Sequence, residues 1–166
     1  MAALSVRQIG ARVGMRAQSL YVYFPSKLAI YDAMFARANA EFLRRFEAGH
    51  EPEDPIEALH WRARLFVDFC TEDPARYQLL FQRNIPGFEP SEESYAIARR
   101  ALETTRQSLA RAGLTEESHL EVWTSLISGL VAQQLANAPG GTRFIRHVDE
   151  VIDMFINHIR PQRSSQ

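Results

Sequence analysis

Cysteine is nearly absent: among 166 residues only Cys70 carries a thiol. One thiol excludes an internal disulfide and suits a reducing compartment. Its neighbours Phe66 and Phe69 suggest a packed side chain rather than a reactive or metal-binding one. No apolar run is long enough to span a bilayer, and the N-terminus lacks the layout of a secretory signal, so a cytoplasmic protein without membrane contact is expected. No period-two run with turn signals argues for a sheet. No glycine-rich phosphate loop follows a strand, and there is no nucleophile elbow. The histidines His50, His60, His119, His147 and His158 are scattered. His147 and Glu150 are one helical turn apart, but no third ligand follows at a metal-site spacing. No catalytic, cofactor or metal site is therefore expected. A net charge of −1 excludes nonspecific coating of nucleic acid, so any such contact must be local.

What the chain does have is apolar content, 46%, in helical periods throughout. The opening stretch is the most ordered of these. Ser5 and Gln8 stand at capping-box spacing. Ile9 and Val13 share a face, Gly10 sits where two helices can cross closely, and Gly14 supplies a turn. Leu20 and Phe24 repeat the four-residue spacing, and Pro25 stops the helix. By spacing alone this is either a helix-turn-helix or an ordinary helical hairpin. Charge favours the first. Up to Tyr31 the only charged side chains are Arg7, Arg12, Arg16 and Lys27, so this end is +4 and the remainder −5.

Further helices follow in order. The first runs from Ser26 to about Ala48 with a stripe of Ile30, Met34, Ala38 and Phe42, and Gly49 stops it. Asp54-Pro55 and Asp73-Pro74 each read as a capping aspartate followed by proline at the first helical position. The helix after Asp54 carries Ile56, Leu59, Ala63, Phe66 and Cys70; the one after Asp73 carries Tyr77, Leu80 and Phe81. Residues 86–90 form a loop. Ser91 caps a helix ending at Gly113. Thr115 is expected to cap the next, which runs to about Asn137. That helix is apolar on two faces: Leu120, Trp123, Ile127 and Leu130 on one, Val122, Leu126, Gly129 and Ala132 on the other. The last helix carries Phe144, Val148, Val151, Ile152, Phe155 and Ile159, and Pro161 ends it. The second face of the 115–137 helix is satisfied either internally or by another subunit.

The run Leu20-Tyr21-Val22-Tyr23-Phe24-Pro25-Ser26-Lys27, after Ile9-Gly10-Ala11-Arg12-Val13-Gly14, resembles the DNA-binding signature of TetR-family transcriptional regulators. The resemblance covers roughly the first 35 residues. It implies an all-α fold with a helix-turn-helix head and connector helix over 1–48, and a helical ligand-binding and dimerisation body over 54–161. It also implies a non-enzymatic regulator, a repressor by default, that binds a double-stranded DNA operator as a homodimer through the last two long helices. Two recognition helices would then lie about 34–36 Å apart.

By position in the motif, Ala17, Gln18, Tyr21 and Val22 face the major groove. Gln18 suits adenine and Val22 a thymine methyl. Arg7 and Arg16 flank the groove and reach guanine or phosphate. Ser5, Tyr23 and Lys27 match positions that hold the phosphate backbone. Two departures stand out. Arg16 occupies a position where the family usually has a capping Ser or Thr. The family also has a complete helix ahead of the one capped by Ser5, where this sequence has only Met1-Ala2-Ala3-Leu4. Leaving the apolar face of Ile9, Val13 and Leu20 uncovered costs about 1.5–3 kcal/mol per large side chain. The expectation is a late start or a truncated chain.

The resemblance further implies a small-molecule ligand in the body. Trp61, Phe66, Phe69, Phe81, Phe88 and Trp123 are candidates to line an apolar pocket for it, or are simply core. Gln133, Gln134 and His119 are polar residues on otherwise apolar faces. The competing reading is a dimeric helical ligand-binding or interaction protein with a defective DNA-binding head.

Overall fold

The computed structural model describes residues 23–82 and 85–159, and its regular structure there is entirely helical. The helices are α1 (Lys27–Ala48), α2 (Pro55–Glu72), α3 (Pro74–Phe81), α4 (Glu92–Arg111), α5 (Glu117–Asn137) and α6 (Val148–Ile159). A single turn of 3-10 helix, Ile145–His147, leads into α6. The helix-turn-helix and its contact residues Ser5, Arg7, Arg16, Ala17, Gln18, Tyr21 and Val22 lie outside the described residues, as do Pro161 and the tail.

Local chemistry sets most of the boundaries. Ser26 Oγ accepts from the Ala29 amide and opens α1. Asp54 accepts from the amides of Ile56 and Glu57 at 2.9 Å each, and Asp73 from those of Ala75 and Arg76. Both aspartates precede a proline at the first helical position, whose missing N–H would have had no partner there. Ser91 Oγ accepts from the Ser94 amide and opens α4. At the other end of α4, Gly113 takes φ +80°, and the Leu114 amide returns to the Leu109 carbonyl at 2.9 Å. This turn closes the helix because glycine pays no Cβ penalty there. The cap of α5 is Glu116 rather than the expected Thr115: the Glu116 amide donates to His119 Nδ1 at 3.1 Å. His119 thus serves as a helix cap.

The buried stripes differ from the expected ones in a regular way. On α1 the buried residues are Ile30, Tyr31, Phe35, Asn39, Phe42, Leu43 and Phe46. Met34 and Ala38 are only half-buried. A strict four-residue row drifts off a helix face, since four residues turn more than one full circle at 3.6 per turn. The face that actually packs alternates steps of four and three, from Phe35 to Asn39 to Phe42 to Phe46. On α2, Leu59, Ala63 and Cys70 are buried as expected, joined by Val67 and Phe69, while Ile56 and Phe66 are half-buried.

α2 runs through the middle and touches α3, α4, α5 and α6, while α1 packs chiefly on α4. One continuous core joins Phe42, Leu59, Ala63, Val67, Leu109, Trp123, Ile127, Val131, Ile152 and Phe155. Gly49, where α1 ends, is a close-approach glycine. Its φ is an ordinary −79°, but a Cβ there would lie 2.4 Å from the Trp61 ring. The turn between α5 and α6 is held by Gln134, which is fully buried. Its Nε2 donates to the carbonyls of Ala138 and Gly141, and its Oε1 accepts from the Phe144 amide at 2.9 Å.

Candidate ligand cavity and the head of the connector helix

A cavity of about 310 Å3 opens inside the bundle. Five helices supply its wall: Phe35, Asn39, Phe42 and Phe46 from α1; Arg62 and Phe66 from α2; Leu80 and Phe81 from α3; Tyr95, Ala98, Arg99, Ala101, Leu102 and Thr105 from α4; Trp123, Thr124, Ile127 and Ser128 from α5. Its size falls at the lower end of ordinary small-molecule pockets, about 300–1,000 Å3, and its wall has the usual mainly apolar character.

Of the six aromatic candidates, the structure brings Phe66, Phe81 and Trp123 together on this wall. Phe66 and Phe81 meet edge to face with ring centres 5.2 Å apart, and Phe42 meets Phe66 at 5.8 Å. The other three stand elsewhere. Phe69 is fully buried against Phe42, 4.9 Å away, beneath the guanidinium groups of Arg45 and Arg76. Trp61 packs on Phe46 and borders a shallow surface groove with Arg45 and Arg64. Phe88 lies edge-on to Tyr31 and Phe35 and staples the 86–90 loop to α1. Of the polar candidates, Gln134 and His119 are used up in the turn and cap described above, and the Asn137 side chain donates to exposed Gln133.

Sequence reasoning did not single out Asn39, Arg62, Thr105, Thr124 or Ser128. Asn39 is 6% exposed, and its Nδ2 donates to the Phe35 carbonyl at 3.0 Å. Arg62 is 7% exposed, stacks 4.4 Å over the Phe46 ring, and donates to Glu51 at 3.1 Å and Thr104 at 3.3 Å. Glu51 also accepts from Ser108 at 2.8 Å. Burial alone would raise the Glu51 pKa, but the hydrogen bonds from Arg62 and Ser108 outweigh it and hold the carboxyl below its ordinary value. Arg62 reads from the sequence as a surface charge; only its stacking and its distant partner Glu51 reveal it as wall.

The α1 end nearest the head is tied down separately. Asp32 accepts from the Ser91 amide at 2.7 Å, the Ser91 hydroxyl at 2.8 Å and the Ser94 hydroxyl at 2.9 Å. Burial pushes the Asp32 pKa up, but these three donors outweigh it and leave it below the ordinary range. Lys27, the first residue of α1, places its ammonium 5.4 Å from the Tyr31 ring centre. Tyr23 is 72% exposed. These are the two predicted phosphate contacts among the described residues.

At the far side of the bundle His60 stands between two carboxylates, Nδ1 3.0 Å from Asp149 and Nε2 3.2 Å from Asp153. Arg64 also donates to Asp149 at 2.9 Å, so α2 and α6 are joined by charge as well as packing. His147 and Glu150 form a simple pair at 2.9 Å. No group of three metal-ligating side chains occurs among the described residues. No described helix is long and apolar enough to cross a membrane.

A helical bundle with an internal apolar cavity, entered by a helix whose N-terminal end adjoins a helix-turn-helix sequence, defines a class of two-part regulators. Comparison with known proteins specifies it. Residues 59–159 match the family described as "Tetracyclin repressor-like, C-terminal domain". Residues 1–34 match "Bacterial regulatory proteins, tetR family". The chain belongs to the TetR family of regulators, with that family's helix-turn-helix head and helical body. Among solved structures it is similar to one described as "Crystal structure of putative regulatory protein SCO4313", at a TM-score of 0.66 and 19% identity, over 92% of this chain and 84% of the other. That likeness concerns the fold. Comparison with curated proteins returns no match.

Proposed function

We propose that this regulator is a cytoplasmic, non-enzymatic repressor that binds a double-stranded DNA operator as a homodimer and is released by a small, largely apolar ligand in the α1–α5 cavity. In this reading residues 1–48 form the head and connector, and 54–161 the body. The observation that carries it is the course of α1. The helix begins at Lys27, a predicted phosphate contact, and the same helix presents Phe35, Asn39, Phe42 and Phe46 to the cavity. A ligand that repositions this rigid element repositions the head it carries.

The dimer reading is supported by the second face of α5. Val122, Leu126 and Gly129 are exposed in the single chain, and so is Met154 on α6. Each large apolar side chain left in water forgoes about 1.5–3 kcal/mol, so a second subunit through α5 and α6 is the natural cover. In the head, Gln18 and Val22 read bases with Ala17 and Tyr21 beside them. Ser5, Tyr23 and Lys27 hold phosphates, and Arg7 and Arg16 flank the groove.

The test is a mobility shift on the DNA beside the protein's own gene. A shift that weakens steeply with salt is expected. Lys27→Ala should weaken binding on every sequence alike, whereas Gln18→Ala should change sequence preference. The shift is measured with this chain and with a version extended upstream in frame. If neither shifts the DNA, the DNA-binding reading falls and the competing one, a dimeric ligand-binding protein with a defective head, takes its place.

A further inference from the structure

Resting on the cavity reading above, we infer that the ligand is a neutral, mainly apolar molecule carrying a hydrogen-bond donor, and that Asn39 is the residue that selects for the donor. Asn39 is 6% exposed and lies on the cavity wall. Its amide orientation is set by the backbone: Nδ2 is committed to the Phe35 carbonyl one turn back, at 3.0 Å. What remains is Oδ1, an acceptor with no protein partner among the described residues.

Two further hydroxyls on the wall present acceptors, while those of Tyr95 and Ser128 remain able to donate. The Thr124 hydroxyl spends its proton on the Leu120 carbonyl at 2.9 Å, and that of Thr105 on the Ala101 carbonyl at 3.3 Å. Both then present lone pairs. The two cations are neutralised, Arg62 by Glu51 and Arg99 by Glu92. The wall therefore holds no unpaired positive charge, and its most buried uncharged polar side chain, Asn39, offers an acceptor. An anionic ligand would compete with Glu51 or Glu92 for an arginine, while a hydroxyl or N–H finds the Asn39 oxygen waiting. A ligand with only acceptors would leave the Asn39 carbonyl buried and unsatisfied.

Three probes of matched shape test this: 4-hydroxybiphenyl, 4-methoxybiphenyl and biphenyl. Binding is read by quenching of Trp123 emission in the full chain and in a Trp61→Phe background that isolates Trp123. The hydroxyl compound should bind about 2- to 12-fold more tightly than the other two, the range of one neutral hydrogen bond. Asn39→Leu should bring the affinities for the hydroxyl compound and biphenyl together. Asn39→Ala replaces it if the leucine variant does not give a wild-type helical signal and a cooperative melt. If all three probes bind wild type within two-fold, the donor inference is overturned while the cavity reading stands. An advantage that survives in the Asn39 variant overturns Asn39's role. If none of the three binds, the cavity reading fails and takes the inference with it.

Discussion

Glu51→Gln isolates the charge that keeps Arg62 in the cavity wall. Arg62 is nearly buried, and Glu51 answers it twice, Nε to Oε1 at 3.1 Å and Nη2 to Oε2 at 3.4 Å. Removing one partner of a fully buried pair costs about 3–5 kcal/mol. Glu51 keeps a quarter of its side chain in solvent, and glutamine retains part of the hydrogen bonding. Solvent screening then reduces the expected loss to about 2 kcal/mol. For a chain of this size that lowers Tm by roughly 4–8 °C, read by circular dichroism at fixed protein concentration. The pH dependence gives a second readout. The folded pKa of Glu51 is lowered, so its contribution is complete above the unfolded carboxyl value of about 4.3. It disappears as pH falls through the folded value. The gap between wild type and variant should be widest near neutrality and close in acid. Adding Arg62→Met to Glu51→Gln should recover most of the loss, because it removes the stranded charge. A gap under about 0.5 kcal/mol at neutral pH, or one that does not shrink in acid, would refute the reasoning.

Three further outcomes are expected. Gly49→Ala drives a methyl group into the Trp61 ring, which Phe46 backs, and overpacking of this kind should cost about 1–3 kcal/mol in urea unfolding; an unchanged midpoint would show that Trp61 moves freely. Leu126→Arg places a charge on the exposed face of α5, so light scattering should report half the wild-type mass with the helical content retained, and an unchanged mass would defeat the proposed interface. Cys70 is fully buried and its thiol is pushed up, chiefly by burial, so iodoacetamide at neutral pH should label it only after denaturation; rapid labelling of the native protein would contradict its place in the core.

Helix boundaries were readable from local chemistry. Asp54, Asp73, Ser91 and Gly113 act within a few residues of themselves, so short stretches specify them. The head's family signature was legible for the same reason, since its spacing lies within a contiguous run. Faces were less readable. The four-residue row on α1 pointed to Met34 and Ala38, and packing against α2, α4 and the 86–90 loop selected Phe35, Asn39 and Phe46 instead. The cavity was half legible: apolar aromatics look alike in sequence whether they line a void or fill the core. Phe69 and Phe66 are three residues apart on α2, yet one lies under two arginines and the other on the wall.

The sequence by itself determined an all-α chain with a basic N-terminal end, a single packed thiol and a two-faced α5. These follow from periodicity, caps and composition, which are properties of neighbours along the chain. Only the tertiary structure decided that Arg62 belongs to the interior and that Asn39 stands on a cavity wall. Each depends on partners far off in sequence or on what crosses overhead. Glu51 neutralises Arg62 from eleven residues away, and α4 and α5 share the cavity wall with Asn39. A polar side chain's meaning is set by what desolvates it and what is left to answer it.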